Sequence, residues 1–128
     1  MPSQITVILR RRVAPSRRTR DVRAAVICQF IHKLSGETIF DAEPGAVAVP
    51  VLVVGNEFDT CADTPPGDAP MVLSALARSP RKELVMVRSG QIAKRSDPCQ
   101  GMSPHGYLGI EGTVVQRISE WIRATGGG

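Results

Sequence analysis

The feature that most constrains the fold is a continuous apolar run at residues 50–55 (PVLVVG), with turn-forming residues at both ends. A short run rich in valine predicts a strand that is buried on both faces of a parallel sheet. Residues 82–88 (KELVMVR) are predicted to form a second strand, which ends at a Ser-Gly pair. Parallel strands require crossover connections between them, usually helices.

The segments that follow these strands have helical character. Asp68 or Ala69 is the expected start of the first helix, since Pro70 fits a first turn and apolar residues continue to Leu76. The second helix is indicated by apolar residues at offsets typical of one helix face: Ile110, Val114, Val115, Ile118, Trp121 and Ile122. The order strand, helix, strand, helix predicts the α/β class.

Length and composition allow one domain. The chain has 128 residues, of which 42% are hydrophobic and 22% charged, as in globular proteins of a single core. No apolar run approaches the ~18 residues that a membrane-spanning helix needs, so we expect no membrane span.

Charge is distributed unevenly along the chain. Residues 1–20 contain six arginines and no acidic residue, whereas the rest carries ten Lys/Arg and twelve Asp/Glu. We therefore predict a basic arm without regular structure at residues 1–20, an ambiguous helix or strand plus a loop at 21–49, the α/β part at 50–124, and a flexible tail at 125–128. No export signal is recognised in residues 1–20, and the sequence does not indicate a cellular compartment.

Candidate site residues lie after the two strands. The loop at residues 55–61 (GNEFDTC) contains Asp59, and the loop at 98–107 (PCQGMSPHGY) contains His105. Loops at the carboxyl ends of parallel strands meet at one edge of the sheet. An aspartate that accepts the ring N–H of a histidine supports a nucleophile–base–acid triad. Taken singly, Asp59 also fits a turn residue that binds its own backbone, and His105 fits an ordinary loop histidine.

The two loops and their order resemble the C-terminal segment of the α/β-hydrolase superfamily. VPVLVVGNEFD is similar to the strand and loop that carry the acid, and SPHGYLGIEGTVVQRISEWI to the histidine loop and the final helix. The resemblance implies a partial α/β-hydrolase-like parallel sheet with flanking helices. It assigns Asp59 as the acid and His105 as the base of a serine hydrolase that acts on a small, ester-like substrate.

The nucleophile of that family is absent from the sequence. The family places its nucleophilic serine in a G-x-S-x-G turn, and no serine of this chain lies in that motif. Two serines are partial candidates for the nucleophile. Ser35 is followed by Gly36, and Ser103 lies near His105 in the sequence. The resemblance therefore implies a truncated, inactive form, whose open sheet edge makes self-association an expected property.

Convergence of the acid and base loops would also bring Cys61 and Cys99 within bridging distance. The alternatives are a disulfide that ties the loops together and two reduced thiols. A zinc site would need ligands from Cys28, His32, Cys61, Cys99 and His105, but no C-x-x-C pair is present. We therefore expect neither a metal nor a cofactor.

The alternative hypothesis is a non-catalytic interaction module. In it, the arginines of residues 1–20 bind nucleic acid or acidic lipid, and the α/β part serves as a scaffold. Nucleic-acid binding is not expected from any other part of the chain. Salt separates the two hypotheses, because binding by the arm would weaken steeply with salt and ester hydrolysis would not depend on the arm.

Overall fold

The structure is a computed structural model that describes residues 5–9, 22–28, 38–89, 91 and 97–126. The described strands are β1 (Ile5–Leu9), β2 (Val22–Cys28), β3 (Val51–Asn56) and β4 (Lys82–Val87). The α-helices are α1 (Ala69–Ala75) and α2 (Glu111–Gly126). Short 3-10 turns lie at Ile39–Ala42, Pro44–Ala46, Pro66–Asp68 and Pro104–Gly106.

The four strands form one sheet in the order β1-β2-β3-β4. β2, β3 and β4 run parallel, with Val53 of β3 opposite Ile27 of β2 and Leu84 of β4. β1 is antiparallel to β2. The chain is therefore a mixed α/β protein with a three-stranded parallel sheet at its centre, as the α/β prediction requires.

The two faces of β3 build two separate cores. Val51 and Val53 pack with Val72 and Leu76, so α1 covers one face of the sheet. Leu52 and Val54 pack on the other face, where α2 contributes Val114 and Trp121. All six residues of β3 are buried. This double coverage explains why residues 50–55 form an unbroken apolar run instead of an alternating one.

The structure corrects the expectations for both ends of the chain. Ile5–Leu9 falls in the arm for which we predicted no regular structure, yet it forms β1 and pairs with β2. Its apolar residues provide a strand that closes one edge of β2. At the other end, α2 continues through residues 125 and 126, which we had assigned to a flexible tail. The other arm residues and the last two glycines lie outside the described residues.

The segment that the sequence left ambiguous contains a strand. Val22–Cys28 forms β2, and Ala25 lies opposite Val51 in the parallel register. The expected loop before β3 contains two 3-10 turns; in the first, the side chains of Thr38 and Asp41 form a reciprocal capping box. Within the described residues, no helix has the length and apolar character needed to cross a membrane.

Candidate functional site

The acid loop begins where β3 ends. Asp59 lies in a tight turn, and its backbone N–H donates to the carbonyl of Asn56 at 3.0 Å. One carboxylate oxygen, Oδ1, accepts the backbone N–H of Cys61 at 2.9 Å. Asp59 thus makes the local backbone bond expected of a turn aspartate, and its second oxygen, Oδ2, is available for contacts with other segments.

His105 lies in the 3-10 turn Pro104–Gly106, which follows β4 along the chain. Gly106 is required in this turn, because a Cβ atom there would collide with the backbone of Gly101. Ser103 is fully buried, and its hydroxyl lies 2.9 Å from the carbonyl oxygen of Pro98 and 2.7 Å from that of Gln100. The histidine loop is therefore folded on itself by specific contacts.

The structure brings Asp59 and His105 together. The distance from His105 Nδ1 to Asp59 Oδ2 is 3.0 Å, and the two side chains are only 11% and 10% exposed. This hydrogen bond is the contact that the order of strands and loops predicts. A carboxylate at Nδ1 holds the imidazole ring in one orientation, as the acid of a triad does.

Thr64 is a third member of this cluster that sequence analysis did not assign to the site. Its buried hydroxyl donates to Asp59 Oδ2 at 2.8 Å and lies 3.0 Å from His105 Nδ1. The sequence indicates Thr64 only as a residue before a helix. No local pattern distinguishes a capping threonine from one that contacts a loop 41 positions away.

Asn56, the last residue of β3, connects the loops. Its amide nitrogen donates to the carbonyl oxygens of Ser89 and Pro104, each at 3.0 Å. Its carbonyl oxygen accepts the backbone N–H groups of Phe58 and Ser89, each at 3.1 Å. All four hydrogen-bonding positions of this buried amide are therefore used.

A disulfide also joins the two loops. Cys61 and Cys99 are bonded, with Cα atoms 4.8 Å apart. Of the two alternatives that the sequence left open, a disulfide and two reduced thiols, the structure contains the disulfide. Asp63 lies near both sulfurs, but a disulfide has no thiolate to offer, so these three residues do not form a metal site in the oxidised chain.

Cys28 and Tyr107 lie side by side at the edge of the site. The phenol of Tyr107 donates to the carbonyl of Val54 at 3.2 Å. Burial raises the pKa of Tyr107, and the neighbouring Cys28 and Asp59 raise it further. Burial also raises the pKa of the Cys28 thiol, although its hydrogen bond with Tyr107 acts in the opposite direction. Both groups are therefore held in their neutral, protonated forms.

The cluster of Asp59, Thr64 and His105 borders a small recess that opens to solvent. It is lined by Gly55, Asn56, Asp59, Thr64, Pro66, His105 and Tyr107. Ser35, like the arginines of residues 10–20, lies outside the described residues, so the structure does not place it relative to this recess. Comparison with protein-family models, curated proteins and solved structures finds no match for this chain.

Proposed function

We propose that the chain is an α/β-hydrolase-like protein that carries the acid and the base of a serine-hydrolase triad. The observation that supports the proposal most directly is the 3.0 Å hydrogen bond between Asp59 Oδ2 and His105 Nδ1. The two residues come from loops that follow consecutive parallel strands, in the chain order acid then histidine. That order is the one found in α/β-hydrolases.

In this proposal each residue has a defined chemical role. Asp59 holds the imidazole through Nδ1 and stabilises the positive charge that the ring acquires. His105 removes a proton from a hydroxyl nucleophile and returns it to the leaving group of an ester-like substrate. Positioned proton transfer of this kind contributes a rate factor of about 10²–10⁴.

The 128-residue sequence lacks the family's nucleophile motif, because it contains no G-x-S-x-G turn. Ser103, the serine nearest to His105 in sequence, is fully buried, and its hydroxyl is engaged with backbone carbonyls of its own loop. We therefore propose that the chain by itself forms no acyl-enzyme and is an inactive form of a hydrolase.

Two measurements on the intact chain test this proposal. The first is hydrolysis of an activated ester, 4-nitrophenyl acetate, by the wild type, H105A and H32A; His32 is the only other histidine. Because the nucleophile is missing, we expect the wild type to show only the slow rate of a histidine–carboxylate pair acting as a simple base. H105A should lose most of that rate, and H32A should retain it. Equal rates for wild type and H105A would contradict the role of His105 as a base.

The second measurement is covalent labelling with a fluorophosphonate probe, followed by mass spectrometry. We expect no stoichiometric labelling of any serine. If one serine is labelled, and S35A or S103A abolishes the labelling, the chain has a complete triad and the inactive form is wrong.

A further inference from the structure

Three side chains of the kinds that bind metals meet where the acid loop and the histidine loop are joined. The Sγ atoms of Cys61 and Cys99 and a carboxylate oxygen of Asp63 all lie within 4.8 Å of one another. Cys61 and Asp63 are 3% and 7% exposed, and Cys99 is half-buried. In the oxidised chain both sulfurs belong to the disulfide, so only reduction makes two thiolate ligands available beside the carboxylate. Asp63 is not among the zinc ligands that the sequence pattern indicates.

Reduction of this disulfide by a dithiol balances in atoms and electrons. The dithiol gives two electrons and two protons, the S–S bond breaks, Cys61 and Cys99 each gain an S–H bond, and the reductant becomes a cyclic disulfide. When a divalent metal ion then binds, the two thiols become thiolates and two protons pass to the solvent. The two loops thereby exchange one covalent bond for two metal–sulfur bonds.

Contacts other than the disulfide keep the two cysteines close after reduction. The N–H of Cys61 donates to Oδ1 of Asp59 at 2.9 Å. The N–H of Cys99 donates to Oδ1 of Asp97 at 2.7 Å. The side-chain amide of Asn56 also ties the acid loop to the histidine turn. The backbone around the two cysteines is therefore held by hydrogen bonds that reduction does not break.

The distances and the ligand types suit zinc. In a tetrahedral site with Zn–S of about 2.3 Å and Zn–O of about 2.1 Å, neighbouring ligand atoms are roughly 3.6–3.8 Å apart. The two sulfurs separate when their bond breaks, and the oxygen has to approach by at most about 1 Å, which rotation of the side chains supplies. Thiolates favour zinc over magnesium and calcium, which take oxygen ligands. One oxygen of Asp63 is sufficient for the metal, which leaves the second for its contacts with the rest of the chain.

We propose that Cys61, Cys99 and Asp63 form a zinc site in the reduced chain, with water as the fourth ligand. Three protein ligands and one water are a common arrangement around zinc. Two thiolates and a carboxylate repel one another at these distances, and a divalent cation between them replaces that repulsion by attraction. Zinc then links the acid loop to the histidine loop in place of the disulfide. The proposal does not depend on hydrolase chemistry, because zinc binding is measured without a substrate.

Zinc binding to the intact chain in its oxidised and reduced forms tests the proposal. The wild type is reduced with a dithiol, desalted without oxygen and titrated with Zn²⁺ in competition with a chromophoric chelator. We expect about one tightly bound zinc ion per reduced chain and none per oxidised chain, since the disulfide has no thiolate. Cd²⁺ in place of Zn²⁺ should give thiolate-to-metal charge-transfer absorption in the reduced chain. Equal zinc binding by both forms, or no binding by either, would overturn the proposal.

Three variants separate this site from unspecific binding by free thiols. D63N removes the carboxylate ligand at nearly constant size, and we expect its reduced form to bind zinc at least ~10-fold more weakly. D41N makes the same change on an exposed residue outside both loops and should bind as the wild type does. C28A removes the remaining thiol, keeps all three ligands and should also retain wild-type affinity. Unchanged affinity in D63N, or lost binding in C28A, would contradict the assignment.

Urea unfolding gives a second readout that does not depend on the chelator. One equivalent of zinc should raise the unfolding midpoint of the reduced wild type and leave that of the oxidised wild type unchanged. If the reduced chain does not fold alone, zinc should restore a cooperative transition, and failure to do so would refute the site. If reduced D63N does not fold even with zinc, the results for C28A and for the wild-type midpoint still decide.

Discussion

The side-chain amide of Asn56 donates a hydrogen bond to the carbonyl oxygen of Pro104, 3.0 Å away. The last residue of β3 therefore holds the turn that carries His105. The same amide also binds both backbone groups of Ser89, just after β4. One buried side chain thus fixes the acid loop, the end of β4 and the histidine turn relative to one another.

The first prediction concerns this amide. In N56D, a carboxylate oxygen would replace the N–H₂ group and face the two carbonyl oxygens of Ser89 and Pro104. Because two buried acceptors would lose their donor and a charge would be added, we expect a loss of about 3 kcal/mol in the free energy of unfolding. Urea unfolding measures this change. Q100E makes the same amide-to-acid change on an exposed residue, and we expect a change within about 0.5 kcal/mol. Similar values for the two variants would contradict the role of Asn56.

The second prediction concerns the disulfide. Cys61 and Cys99 are 38 residues apart in the chain, and closing a loop of that size in the unfolded state contributes about 3–4 kcal/mol. We expect the double variant C61S/C99S to lose that amount of stability, measured by urea unfolding. A dithiol reductant should destabilise the wild type but leave the double variant unchanged.

Thiol counting gives an independent check. Cys28 is the free cysteine of the described residues, so the denatured, unreduced chain should show one reactive thiol of the three in the sequence. Three reactive thiols after purification under oxidising conditions would contradict the bridge.

The third prediction concerns alkaline pH. The pKa of the Cys28 thiol is raised from its ordinary value of 9.0, and the pKa of Tyr107 is raised from 10.0. The folded chain therefore holds these two protons more tightly than the unfolded chain does. Their contribution to stability is complete below about pH 9 and is lost as the pH rises further.

Urea unfolding of the wild type, C28A and Y107F at about pH 8 and about pH 10.5 measures this loss. We expect the decrease in the free energy of unfolding to be smaller in each variant than in the wild type. Tyr107 is the only tyrosine, so phenolate absorbance reports on it alone. Appearance of phenolate at its ordinary pH, in a chain that is still folded, would contradict the prediction.

The fourth prediction concerns the core under α1. Leu76 is completely buried in the cluster that α1 forms with β2 and β3. L76A leaves a cavity there, and we expect a loss of about 2–5 kcal/mol. Met71 lies on α1, whereas Leu76 directly follows that helix; Met71 is 57% exposed, so M71A should cost much less. Equal losses would show that α1 does not pack as described.

Much of the site could be predicted from the sequence because its two main residues follow consecutive buried strands. Once β3 and β4 are read as parallel, their loops must share an edge, so proximity of Asp59 to His105 and of Cys61 to Cys99 is expected from topology. Whether the two cysteines are bonded was left open by the sequence. Whether Asp59 and His105 catalyse a reaction stays a prediction. The role assigned to each comes from a family resemblance.

Other parts of the structure could not be predicted because they depend on contacts that no local pattern encodes. Thr64 and Asn56 act through partners 41 and 48 residues away, and polar residues near turns have many local uses. β1 is five residues long and is followed by arginines. The sequence of these five residues does not separate a strand from the start of an unstructured basic arm. Only the pairing with β2 does so.

The position of β1 limits what can be added to this sheet. β2 uses both of its edges, one for β1 and one for β3. A parallel strand from another polypeptide, such as one bearing a nucleophile turn, would have to displace β1 before it could pair with β2. If the proposed triad were completed by a strand of a second chain that pairs with β2, that assembly would require strand exchange. The yield of that assembly would depend on the free energy needed to break the short antiparallel pairing between β1 and β2.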